Sequence, residues 1–142
     1  MTITPIYTAT ATATGGREGT VSTPDGTIDL KLAPPKEMGG SGAGNNPEQL
    51  FASGYAACYL GAMKFATSQD KSLAKVPDDA TVAADVGIGP RDGGGFGLSV
   101  KLVVTLPGVA PEEAQKIVDA GHRICPYSHA VGGNIDVVTE VR

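Results

Sequence analysis

Residues 46–60 read Asn46-Pro47-Glu48-Gln49-Leu50-Phe51-Ala52-Ser53-Gly54-Tyr55-Ala56-Ala57-Cys58-Tyr59-Leu60. Asn46 is a good N-cap, Pro47 suits the first helical position, and Gln49 stands where a capping box reaches back. Beyond them the chain is apolar nearly all round and keeps helical register to about Ser68. That predicts a central buried helix rather than a surface one. One small sheet is too little to cover it, so a partner subunit is expected.

Upstream, Tyr7-Thr8-Ala9-Thr10-Ala11-Thr12-Ala13 alternates with period 2, which predicts a strand over residues 5–14. Gly15-Gly16-Arg17-Glu18-Gly19 interrupts it. Val21 to Ser22 and Thr27 to Leu32 flank Pro24-Asp25-Gly26, a hairpin turn, with Ile28, Leu30 and Leu32 on one side and Asp29 and Lys31 on the other. Residues 33–46 are a long Gly- and Pro-rich loop, more often functional than idle.

Downstream, Ala80 to Ile88 and Phe96 to Leu106 read as strands, the second with Phe96, Leu98, Val100, Leu102 and Val104 on one face. Pro111-Glu112-Glu113 opens a second helix with acids at its positive end. Its apolar stripe is Ala114, Ile117, Val118 and Ile124, and Pro126 should end or kink it near Cys125. Ile135 to Val141 is a last strand. The order βββ-α-ββ-α-β predicts an α+β fold with mainly antiparallel strands, residues 1–142 forming a single domain.

The net charge is -4 and no run of Lys or Arg occurs, which argues against a nucleic-acid surface. No stretch is long and apolar enough to span a bilayer. Met1-Thr2-Ile3-Thr4-Pro5 lacks the basic and apolar segments of a signal peptide, so the cytosol is the default compartment. There, disulfides are usually transient, catalytic or redox-sensing.

The two cysteines, Cys58 and Cys125, have unlike contexts. Cys58 is expected buried on a rigid helix, Cys125 on a segment that must turn, His122-Arg123-Ile124-Cys125-Pro126-Tyr127-Ser128. That asymmetry suits a redox pair. The plainer reading of Cys58 is an inert core residue, since an apolar site raises a thiol's pKa. To react it needs a fixed, weakly hydrated cation, and Arg17 in its glycine-flanked turn is the candidate. Glu48 can aim that guanidinium through a bidentate pair. Taken alone, Arg17 reads as a solvated turn residue and Glu48 as a first-turn acid on the helix dipole. Cys58, His122, Cys125 and His129 are also ligand types that zinc accepts, but without the usual close cysteine pairs. Otherwise the two histidines read as surface or helix-end residues.

Four motifs, Gly15-Gly16-Arg17-Glu18-Gly19, Asn46-Pro47-Glu48-Gln49-Leu50-Phe51, Gly54-Tyr55-Ala56-Ala57-Cys58 and Cys125-Pro126-Tyr127-Ser128, resemble those of the organic hydroperoxide resistance proteins, the Ohr branch of the Ohr/OsmC family. Gly132-Gly133-Asn134-Ile135 resembles that family's approach to its last strand. The resemblance runs the length of the chain in order. One departure is His129-Ala130-Val131, where the family pattern has Asn-Ala-Thr followed by Arg.

The resemblance implies an enzyme, a thiol peroxidase. Cys58 matches the peroxidatic cysteine and Cys125 the resolving one, while Arg17 and Glu48 match the charged pair that activates the thiol. It implies an intertwined homodimer, with two long central helices wrapped by strands from both chains. It also implies a dithiol reductant, a lipoyl group on a lipoylated protein, and no metal, haem, flavin or selenium cofactor. The apolar residues Phe51, Tyr55, Tyr59, Leu60 and Met63, with Tyr127, form a substrate wall that favours alkyl or fatty acyl hydroperoxides. The alternatives are an OsmC-type peroxidase of broader preference, a non-enzymatic redox sensor and a zinc-binding domain.

Glu48 and Cys58 are ten residues apart on one helix, a rise of roughly 15 Å with side chains about 80° apart. One guanidinium cannot easily reach both within a subunit. Arg17 and Glu48 of one chain serving the thiols of the other is therefore expected; the alternative is a break near Ser53-Gly54.

Overall fold

The computed structural model describes residues 2–142. Met1, the first residue of the stretch read for a leader, lies outside them. The described residues divide into two compact units, the first ending at Pro47 and the second spanning Glu48–Arg142. Among the described residues no helix is long and apolar enough to cross a membrane.

The first unit is a three-stranded antiparallel sheet of β1 (Thr12–Thr14), β2 (Thr20–Ser22) and β3 (Asp29–Lys31), in that order. Thr12 pairs with Ser22 and Thr14 with Thr20, and Val21 pairs with Leu30. The expected Pro-Asp-Gly turn joins β2 to β3. Thr23 Oγ1 donates to Asp25 Oδ1 at 2.7 Å, and the Thr27 N–H donates to the same oxygen at 3.1 Å. Residues 33–46 are a loop, as expected, but a tied one. The Asn45 N–H donates to the Lys31 carbonyl at 2.9 Å and the Ala33 N–H to the Asn45 carbonyl at 3.0 Å, beside a short 3-10 turn at Lys36–Met38.

The long first strand is corrected. Only Thr12–Thr14 pairs, and residues 2–11 form no strand and are exposed, Ile6 and Tyr7 included. Alternation prepares a pleated surface, but a strand also needs a partner edge, and β2 offers three residues.

The second unit holds all of α1 (Pro47–Gln69) but its first residue, with β4 (Thr81–Pro90), β5 (Phe96–Thr105), α2 (Pro111–Ile124), α3 (Pro126–Val131) and β6 (Val137–Val141). β5 is central: β4 runs antiparallel to it, with Val86 opposite Val100, and β6 runs parallel, with Thr139 opposite Leu102. Tyr55, Tyr59 and Met63 of α1 pack with Ile117 and Val118 of α2 and with Val100, Leu102 and Val104 of β5. The two helices approach closely at Gly121, where a Cβ would stand 2.6 Å from Met63 Cγ.

Three expectations change here. Ile124 is exposed, and the buried stripe of α2 is Ala114, Ile117, Val118, Ala120 and Gly121. Phe96 is exposed too, because the alternating face of β5 runs past the core at the hairpin end. Pro126 does end α2, but it also starts α3, a helix the sequence reading missed; proline suits the first helical position as well as it breaks the interior. Within one chain α1 buries a single face. Ser53, Ala57, Gly61 and Phe65 lie exposed at successive turns along the other.

Candidate functional site

α1 carries Cys58 three turns in, and it runs unbroken through Ser53-Gly54. Cys125 sits between two helices. Its N–H donates to the Gly121 carbonyl at 2.8 Å, closing α2. Its Sγ accepts from the Ser128 N–H at 3.5 Å, opening α3. A cysteine thus fills the N-cap place that serine or threonine usually takes. The two sulfurs lie 4.0 Å apart, with Cys125 donating toward Cys58, and no bond joins them.

The expected burial of Cys58 is corrected. Cys125 is fully buried and Cys58 is half-buried. The accessible sulfur is therefore on the rigid helix. Burial pushes the Cys58 thiol above the usual range, and the neighbouring Cys125 pushes the same way through charge and hydrogen bond. A backbone hydrogen bond from Tyr127 pulls it back down.

Aromatic rings surround the pair. Tyr127 lies 6.0 Å from Phe51 and 5.6 Å from Tyr55, and Tyr55 lies 6.5 Å from Tyr59, between ring centres. Tyr55, Tyr59 and Met63 are wholly buried, whereas Phe51, Leu60 and Tyr127 keep some exposure. Burial raises the Tyr55 and Tyr59 hydroxyls above the usual phenol range. Tyr59 Oη donates to the Val118 carbonyl at 2.8 Å.

A polar chain runs behind Cys125. Tyr55 Oη meets Ser128 Oγ at 2.8 Å, Ser128 Oγ meets His122 Nδ1 at 2.9 Å, and His122 Nε2 meets Thr139 Oγ1 at 2.9 Å. His122 lies in the last turn of α2, a helix-end place as expected, but half-buried, with its ring 4.6 Å from that of Tyr59. Burial holds it below the usual histidine range, with Asp119 acting the other way. The sequence reading missed Ser128, Thr139 and the role of His122. Ser128, three residues after Cys125 at the break that Pro126 makes, was the available signal. Among the described residues no three His, Cys, Asp or Glu side chains gather as a metal site, and exposed His129 stands apart from this polar chain.

The remaining two candidates are placed as follows. Glu48 is in the first turn of α1, half-buried. Arg17 belongs to the first unit, half-buried at the centre of a 3-10 turn, Gly16–Glu18. Glycine is required around it: Gly15 and Gly16 are left-handed at φ 72° and 62°, and a Cβ on Gly19 would run into the Thr14 carbonyl.

Residues 39–140 match the model of the family described as OsmC-like protein. An organic hydroperoxide resistance protein of Xanthomonas axonopodis pv. citri (strain 306) is 53% identical over 133 residues, covering 93% of this chain and 92% of that one. The crystal structure of the organic hydroperoxide resistance protein OhrB of Bacillus subtilis superposes with a TM-score of 0.87 at 38% identity, covering 97% of this chain and 100% of that one. An organic hydroperoxide resistance protein from Elizabethkingia anophelis, crystallised with thiocyanate bound, superposes with a TM-score of 0.89 at 43% identity, covering 98% of each chain. The mixed α+β fold of two sheets and three helices matches these structures.

Proposed function

The chain belongs to the OsmC-like family, and from that premise we propose that it is a thiol-dependent peroxidase of organic hydroperoxides, acting in the cytosol as a homodimer of single-domain chains. The observation that carries the reading is the 4.0 Å approach of an accessible sulfur, Cys58, to a buried one, Cys125. Names of relatives such as the Xanthomonas protein point to the same substrate class.

The Cys58 thiolate attacks the outer peroxide oxygen. The O–O bond breaks, Cys58 becomes a sulfenic acid and the alkoxide leaves as an alcohol after taking a proton. Cys125 then displaces the sulfenic hydroxyl, giving a disulfide and water. A dithiol, of the lipoyl kind, restores both thiols by exchange. Burial and the second thiol disfavour the Cys58 thiolate, so a permanent cation is needed, and Arg17 held by Glu48 is assigned that role. The alkyl chain rests on Phe51, Leu60 and Tyr127, backed by the buried Tyr55, Tyr59 and Met63.

A steady-state assay crossing hydrogen peroxide, alkyl and fatty acyl hydroperoxides with monothiols, dithiothreitol and dihydrolipoamide tests this. Each buried methylene contributes about 0.8 kcal/mol, so kcat/KM for a long alkyl peroxide should exceed that for hydrogen peroxide by roughly a hundredfold or more. Equal constants would sink the apolar-wall argument. Stoichiometric oxidation without turnover in any combination would identify a sensor instead.

A further inference from the structure

We infer that His122 and Ser128 position the resolving thiol, so that the chain Tyr55–Ser128–His122–Thr139 governs disulfide formation and not the attack on peroxide. The inference rests on the peroxidase reading and deepens it.

Four elements supply the four side chains: Tyr55 from α1, His122 from α2, Ser128 from α3 and Thr139 from β6. Each contact is 2.8 or 2.9 Å long. The ring of His122 is held on both nitrogens and lies against Tyr59, whose own hydroxyl is fixed on Val118. His122 therefore has no freedom to swing. Ser128 is the joint: its hydroxyl is held by Tyr55 and His122, and its backbone N–H donates to Cys125 Sγ.

The sulfurs stand 4.0 Å apart, and a disulfide needs about 2.05 Å. Cys125 must travel. Its backbone is extended, φ -64° and ψ 120°, between two helices, the second of only six residues. Ser128 is the anchor against which that movement occurs. In the step itself an S–S bond forms between Cys125 and Cys58 while the Cys58 S–O bond breaks. The hydroxyl leaves with the Cys125 proton as water. Ser128 and His122 bond to one another, to Tyr55, to Thr139 and to Cys125, and not to Cys58; Tyr55 alone of the polar chain stands within electrostatic reach of the sulfur that meets peroxide. The groups facing His122 are Ser128, Thr139, Tyr59 and, on its own helix, Asp119.

The experiment separates the two steps in the full-length protein. One equivalent of an alkyl hydroperoxide is added to the reduced chain. Its consumption reports sulfenic acid formation; loss of free thiols and dimedone trapping at Cys58 report the second step. His122→Phe and Ser128→Ala should consume peroxide within about threefold of the wild-type rate. Both should form the disulfide about tenfold to a hundredfold more slowly, as misplaced reactants do, with dimedone-labelled Cys58 accumulating. His122→Asn, whose amide can stand where Nδ1 does, should recover most of the rate. The double variant should be no slower than the slower single one, since both act through Ser128. Unchanged disulfide rates, or both steps falling together, would overturn the inference. If His122→Phe does not fold, Ser128→Ala, which deletes one oxygen, decides alone. A wild-type chain that consumes no peroxide overturns the peroxidase reading and this inference with it, which the first readout shows separately.

Discussion

Gly54 lies beneath the ring of Tyr127, where a Cβ would stand 2.5 Å from the phenolic oxygen and 3.0 Å from Cζ. Glycine inside a helix costs about 0.5–1 kcal/mol relative to alanine, so its place here is explained by that contact. Tyr127 also supplies the backbone hydrogen bond that favours the Cys58 thiolate.

Gly54→Ala should therefore keep the helix and slow the peroxide step about tenfold, the loss expected of a displaced donor. Tyr127→Phe placed on that background removes the nearest atom and should restore part of the rate. Stopped-flow peroxide consumption measures both. An unaffected Gly54→Ala rate would show that the ring moves aside freely.

Cys58→Ser should abolish peroxide consumption, because a serine hydroxyl is a poor nucleophile at this site. Cys125→Ser should still consume one equivalent and stop at the sulfenic acid. The role assignment fails if Cys125→Ser consumes none.

Arg17→Ala should slow the first step by about a hundredfold or more, as removal of a preorganised charge does, while unfolding midpoints shift little. Arg17→Lys should recover only part, lacking the planar fork. Full activity in Arg17→Ala would return Arg17 to an ordinary turn residue.

A mixed dimer of Arg17→Ala and Cys58→Ser chains should keep one working site per dimer if the charged pair and the thiols come from different chains. The unbroken course of α1 between Glu48 and Cys58 favours that outcome. An inactive mixed dimer, with its assembly verified by mass, would place the whole site in one chain.

Acid should weaken the fold through His122. Its folded pKa is depressed, chiefly by burial, from 6.5. The unfolded chain then binds the proton more readily, so this stability is fully present above about pH 6.5 and is lost as pH falls through the folded value. Denaturant midpoints from pH 7.5 down to 5 should fall more steeply for wild type than for His122→Asn. Parallel curves would clear His122 of the effect.

Elements with local chemistry were legible in the chain. Asn46-Pro47 announced α1, Pro24-Asp25-Gly26 the first hairpin, and the alternation through Leu102 announced β5. What depended on distant partners was not. Tyr7 to Ala11 alternate well but meet no edge strand, and Ile124 keeps helical spacing while pointing outward. The thiols were legible as a pair, but which of them is covered depends on how α2 and α3 fold over Cys125. Tyr55 and Ser128 bond across 73 residues, and no local pattern encodes such a contact.

The two sulfurs also lie 67 positions apart along the chain. A bond between them would tie a loop of that length, and on the loop-entropy account such a tie restricts the denatured chain by about 4 kcal/mol. The same bond that ends the peroxide reaction would thus make the protein harder to melt, and its reduction would release that restraint. Turnover would alternate the molecule between a tethered state and a looser one. A cell short of reductant would accumulate the more heat-resistant of the two.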